Sequence, residues 1–253
     1  MKKSICGAIL LQAGLCLLSG SAAFAQDKAA ERYTYVTYSI CDLTKQERAD
    51  ELFAQIQKPI YDAAVADGTI MSWGWLAHHT GGNWRRALYY GSTSVQGLLD
   101  AQQKIGDLVD AKAKKEKLSD EFGKICNSHD DYIWHTIAGN IGTVARGGAA
   151  FSVYSVCDQT REEQADALMT QVFAPVYDKL VADGKLMSWG YNEHIVGGDY
   201  RRLFTYSAKD TKSLMEARTE IIKSLDDNPL GDTLTDICGP HADYIWEITS
   251  QNP

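Results

Sequence analysis

The sequence predicts an α+β protein in which one β-α-β-β-α-β unit is written twice in a single exported chain. Three observations carry this: a long-period internal repeat, strand-like and helix-like segments in the same order in each copy, and an apolar leader. The repeat is read first, because missing one misassigns the whole fold. Tyr38-Ser39-Ile40-Cys41-Asp42 returns 116 residues later as Tyr154-Ser155-Val156-Cys157-Asp158. At the same offset Met71-Ser72-Trp73-Gly74 matches Met187-Ser188-Trp189-Gly190, and Arg85-Arg86 matches Arg201-Arg202. Residues 38–91 and 154–207 share 27 identities over 54 gap-free positions. The offset then falls to 112, where Cys126-x-x-His129 pairs with Cys238-x-x-His241. A period this long means duplicated domains rather than a solenoid.

Each copy reads in the same order. Residues 33–41 are β-branched and aromatic, a strand. Thr44, with Glu47 three residues on, predicts a capping box opening a helix over about 45–66. Pro59 sits inside that helix and predicts a kink. Asp67-Gly68 ends it, and residues 70–78 and 84–91 follow as two strands about Gly81-Gly82, a hairpin turn that needs positive φ. A helical stretch over 94–125 breaks near the lysine run 112–117, and Asp227-Asn228-Pro229 marks the break in the second copy. A last strand covers 131–137.

Residues 1–25 stand outside the fold. Lys2 and Lys3, the apolar run Ile9–Leu18 and Ala23-Phe24-Ala25 read as a secretory signal peptide cleaved before Gln26. Leu15 precedes Cys16 where a lipid-attachment signal has a small residue, which favours cleavage over lipid anchoring. The domains are then 31–138 and 149–250, with the Gly-rich 139–148 as linker. The leader carries two lysines and no acid, so its loss takes the net charge from −8 to −10. An acidic chain without a basic cluster is a poor partner for nucleic acid or an anionic membrane. The expected location is the periplasm or the exterior. No feature fixes an oligomeric state.

The order β-α-β-β-α-β is the ferredoxin-like split βαβ. An exported pair of such halves resembles the dimeric α+β barrel superfamily, which includes antibiotic-biosynthesis monooxygenases, stress-responsive barrel proteins, EthD-like proteins and chlorite dismutases. The resemblance covers the whole mature chain at the level of topology. It implies two four-stranded sheets closed into one barrel within the chain, and it carries over no functional residue.

Four cysteines remain after cleavage, one pair per copy, and allow three connectivities. With strand order 4-1-3-2, Cys41 and Cys126 meet at one end of the sheet, as do Cys157 and Cys238, so these two disulfides are expected. The competing reading is a metal held by Cys41, Cys126, His129 and Asp42. Export and the lack of a C-x-x-C motif favour disulfides and leave no metal site.

The strand from Ile70 to His78 alternates, with Met71, Trp73 and Trp75 on one face and Ser72, Gly74 and His78 on the other. Either face could line a barrel lumen. His78 and His194 each end a strand beside a glycine turn, with Arg85 and Arg86, or Arg201 and Arg202, across the hairpin. Asp42 and Asp158 end the first strand of each copy at the same rim. Such a set could bind an oxyanion or do acid–base work; it could equally make the ordinary ion pairs of a fold. Tyr33, Tyr35, Tyr38, Tyr89 and Tyr90 suit an aromatic pocket or a half-buried sheet alike.

The sequence has no dinucleotide fingerprint, P-loop, zinc-protease helix, nucleophile elbow or C-x-x-C-H haem attachment. Three functions follow in order: binding of a small molecule in a barrel pocket, an α+β barrel oxidoreductase that is cofactor-free or uses haem, and an interaction domain without pocket chemistry.

Overall fold

A computed structural model describes residues 31–140 and 146–252. The leader, and part of the linker, lie outside the described residues. The first half contains β1 (Tyr33–Ile40), α1 (Gln46–Leu52), a π-helical turn (Phe53–Gln57), α2 (Lys58–Ala66), β2 (Ser72–Gly81), β3 (Arg86–Ser92), α3 (Val95–Lys115), α4 (Glu121–Ile125) and β4 (Ser128–Gly139). The second contains β5 (Ala149–Ser155), α5 (Glu162–Leu168), a π-helical turn (Met169–Phe173), α6 (Ala174–Ala182), β6 (Ser188–Val196), β7 (Arg202–Ala208), α7 (Thr211–Asp226), α8 (Pro229–Ile237) and β8 (His241–Asn252).

Eight antiparallel strands close into one barrel in the order β1-β3-β2-β8-β5-β7-β6-β4. Each half supplies a sheet ordered 4-1-3-2, and the seams β2–β8 and β4–β6 join them. Both seams carry register shifts, at Trp75/Leu76 and His78/Thr80 on one and Ile133/Trp134 and Thr136/Ala138 on the other. Such bulges sharpen the twist that closure needs. Because every neighbour is antiparallel, β1 and β5 run the same way, so equivalent residues of the two halves lie at the same mouth of the barrel.

Alternation decides the layers. Trp73 and Trp75 face outward and pack with Phe53, Tyr61, Leu98 and Ile105 under the helices. The small face, with Ser72 and Leu76, faces the lumen. Lumen-facing Tyr38, Tyr154, Trp134 and Trp246 form a separate core between the sheets. Each such buried ring contributes about 2–3 kcal/mol of transfer free energy. The helices follow from their buried spacing: Leu98, Ala101 and Ile105 on α3, and Leu214, Ala217 and Ile221 on α7.

One local expectation is corrected and another is extended. The capping box at Thr44 does not form: Thr44 Oγ1 and its amide both donate to Asp42 Oδ1, and α1 begins after Lys45 without a side-chain cap. Asp42 outcompetes the helix for that threonine because an Asx turn needs only a two-residue reach. Pro59 also does more than kink one helix. A π turn ends just before α2, which places Pro59 in the first turn, where its missing N–H is an orphan anyway. The second half repeats this device before Pro175. Of the glycines at the hairpin, Gly81 takes the positive φ, at +133°, and pairs with Tyr244 of the other half.

Cys41–Cys126 and Cys157–Cys238 are disulfide-bonded, so these sulfurs are not metal ligands. Among the described residues no cluster of three potential metal ligands occurs. No described helix is long and apolar enough to cross a membrane. The disulfides suit an oxidising compartment.

Candidate functional site in the second half

The rim residues gather at the mouth where β1 and β5 end. Arg85 Nη1 lies 2.8 Å from both ring nitrogens of His78, and Arg201 Nη1 lies 2.8 Å from His194 Nδ1. Burial, then the neighbouring arginine charge, holds both imidazoles below their ordinary pKa. Arg86 and Arg202 turn away from the lumen, toward the helices. Arg86 forms a two-pronged pair with Asp50, and Arg202 does the same with Asp166. Arg201 also pairs with Glu162 at 2.7 Å. Asp42 and Asp158 are taken up by the amides and hydroxyls of Thr44 and Thr160, which hold their carboxyls below the usual range. The structure thus brings His78 to Arg85 and His194 to Arg201, and leaves both aspartates apart from them. An aromatic plug closes this mouth, with Trp84 stacked on Tyr38 at 4.2 Å and on Tyr244 at 5.0 Å.

A cavity lies elsewhere, between the second half's sheet and its helices. It measures about 220 Å³ and is walled by Tyr177, Tyr191, Phe204 and Tyr206 with Ile221 and Leu234. Arg218 on α7 is its polar centre. Asp210 caps that helix by accepting from the Ser213 amide, which fixes the register that turns Arg218 inward. Arg218 Nη2 donates to Asp243 Oδ2 at 2.9 Å and Nη1 to the Tyr206 hydroxyl at 3.1 Å. Its guanidinium sits 3.9 Å over the Phe151 ring. Asp243 Oδ1 is buried with no hydrogen-bond partner. Burial pushes the Tyr206 hydroxyl up to about 12, against the charge of Arg218. It therefore stays a neutral donor at ordinary pH.

The same layer is packed differently in the first half. Phe53 stacks on Trp75 at 4.3 Å, with Phe122 6.2 Å from Trp75. The aligned residues in the second half are Met169, Tyr191 and Leu234, all smaller. The polar pair is exchanged too: Gln102 stands where Arg218 does, and donates to Tyr35, which stands where Phe151 does, at 2.7 Å. Sequence reasoning missed this site because it sought residues both copies keep. The signal lay in the aligned positions where they differ.

A haem needs a ring nitrogen free to bind its iron. His241 is the one histidine lining the crevice, and its Nδ1 faces the Gly239 carbonyl at 2.7 Å while Nε2 faces Asp243. A smaller cavity of about 60 Å³ inside the barrel lumen is lined by no histidine. His241 Nε2, 3.8 Å from Asp243 Oδ1, is therefore the one ring nitrogen that either cavity could offer to iron.

No family model and no curated protein matches the sequence. Solved structures do match in fold. A monooxygenase-like protein of Lactobacillus acidophilus superposes with a TM-score of 0.59 at 7% identity, covering 87% of this chain and 95% of its own. A mutant chlorite dismutase from Candidatus Nitrospira defluvii gives 0.54 at 8% identity, covering 87% and 92%. An anthrone oxidase-like protein gives 0.50 at 14% identity, covering 88% and 93%. With its closed eight-stranded barrel flanked by helices, the chain has the fold of the dimeric α+β barrel proteins.

Proposed function

We propose that this is an exported protein of two tandem ferredoxin-like copies that binds a small, largely apolar molecule in the second copy's sheet–helix crevice. The observation that carries the reading is the crevice itself: about 220 Å³ with a largely apolar wall of aromatic and aliphatic side chains, into which Arg218–Asp243, Arg202 and His241 bring the polar groups. That is the ordinary composition of a ligand pocket. The leader-like segment and two disulfides support export. The rim residues Arg86 and Arg202 serve the fold in this reading, as buried pairs between sheet and helix. His78 with Arg85, and His194 with Arg201, brace the hairpins.

An enzyme is the second reading, favoured by the monooxygenase-like, anthrone oxidase-like and chlorite dismutase proteins among the structural neighbours. Tyr206 and Arg218 would then orient a carbonyl or phenolate in the crevice. Native mass spectrometry separates binding in the crevice from binding elsewhere. Wild-type protein from its own host should carry a non-covalent adduct that the Met169→Phe/Leu234→Phe variant lacks. An adduct that survives the filling would place the ligand elsewhere.

A further inference from the structure

The barrel lumen contains a separate cavity of about 60 Å³ toward the mouth where β1 and β5 begin. Its wall combines the aromatic residues Tyr38, Trp134 and Tyr154 with small hydroxyls. Two guanidinium groups, Arg32 and Arg146, line it, and no carboxylate does. This is the reverse of the chain as a whole, whose net charge is −8.

Arg146 is the informative residue. Its Nη2 donates to Thr205 Oγ1 at 3.1 Å, and its guanidinium lies 5.1 Å from the Tyr89 ring. Its Nε is buried without a partner. Among the described residues no carboxylate stands within ion-pair distance of it, although Arg86, Arg202 and Arg218 each have one. A second donor in the same wall is also unmet: Trp134 is 1% exposed and its Nε1 has no partner. Buried donors left unpaired cost free energy, and a guanidinium without a counter-charge costs more. Both unmet groups in this wall are donors. What would satisfy them is an acceptor carrying negative charge.

We propose that the lumen is a binding site for a small carboxylate of roughly two to four carbons, the size such a cavity admits. The carboxylate meets Arg146, with Arg32 beside it, and the short tail lies against Tyr38 and Tyr154. A carboxylate fits better than an inorganic oxyanion because the inner wall is aromatic. Planar two-oxygen recognition is also what a guanidinium favours. The site is independent of the crevice and stands or falls separately from it.

The test uses the full mature protein with sodium propionate, and with sodium sulfate and sodium chloride at matched ionic strength, read by thermal unfolding and isothermal titration calorimetry. Propionate is expected to raise Tm at millimolar concentrations where the inorganic salts, whose general effect grows only at much higher concentration, leave it nearly constant. Its affinity should fall about tenfold or more in Arg146→Gln, the loss of one charge-assisted contact. Leu203→Trp, which fills the lumen, should abolish it, and Lys212→Gln on the exposed face of α7 should leave it unchanged. Equal stabilisation by sulfate, or undiminished binding in Arg146→Gln, overturns the proposal. If circular dichroism shows that Arg146→Gln does not fold, Leu203→Trp decides, and propionate binding retained there overturns it.

Discussion

Replacing Arg218 by glutamine puts into the second half the residue that the first half carries at Gln102. The change removes a 2.9 Å charge-assisted bond to Asp243, a bond to Tyr206 and the guanidinium stacked at 3.9 Å on Phe151. Both partners of the ion pair are mostly covered, at 21% and 33% exposure, so solvent screens it only in part. A charge-assisted hydrogen bond in such a place is worth about 1.5–3 kcal/mol, and a cation–π contact about 0.5–1 kcal/mol. Glutamine recovers some of the hydrogen bonding, so Arg218→Gln should destabilise by about 2–3 kcal/mol. Adding Phe151→Tyr rebuilds the pair seen between Gln102 and Tyr35, 2.7 Å apart. The double variant should therefore regain about 1 kcal/mol over the sum of the two single changes, a coupling well above the usual scatter. Urea unfolding followed by tryptophan fluorescence, with disulfides intact, measures all four corners of the cycle. Additive losses would refute the claim that the two halves hold interchangeable polar pairs. An Arg218→Gln variant within 0.5 kcal/mol of wild type would refute the weight given to the ion pair.

Further outcomes follow from other parts of the molecule. His78 and His194 have pKa values lowered in the fold from 6.5, so the unfolded chain binds more protons in mild acid. Their contribution is intact above pH 6.5 and is lost as pH falls through the folded values; flat stability across that window in wild type, or an equal slope in the His78→Phe/His194→Phe variant, would contradict this. Opening the first half's bridge with Cys41→Ser/Cys126→Ser removes a cross-link spanning 85 residues and should cost about 4 kcal/mol on the chain-entropy model, read as a lower urea midpoint. Gly197→Ala should cost about 2–4 kcal/mol, because φ is +147° there and a Cβ would lie 2.3 Å from the Tyr132 ring. A near-native urea midpoint for that variant would mean the hairpin relaxes freely.

The division between sequence and tertiary structure follows the range of the interactions. Alternation along Ile70–His78 was enough to separate a bulky face from a small one, and the repeat was enough to place equivalent cysteines together. Both depend on short-range geometry or on strand order, which a β-α-β-β-α-β pattern already limits. Which face of the strand would look into the lumen depended on closure. Only when β2 pairs with β8 and β4 with β6 does the small face lie inside, leaving Trp73 and Trp75 for the helices. The candidate sites needed more. Arg146 meets Thr205 and Tyr89 from 59 and 57 positions away in the chain, and Arg218 meets Phe151 across 67. No local pattern encodes such meetings. The identities between residues 38–91 and 154–207 pair the positions of the two halves from sequence alone. The packing of three side chains, Met169, Tyr191 and Leu234 against Phe53, Trp75 and Phe122, decided how that layer is filled in each, because a cavity is a difference of volumes that only the assembled layers express.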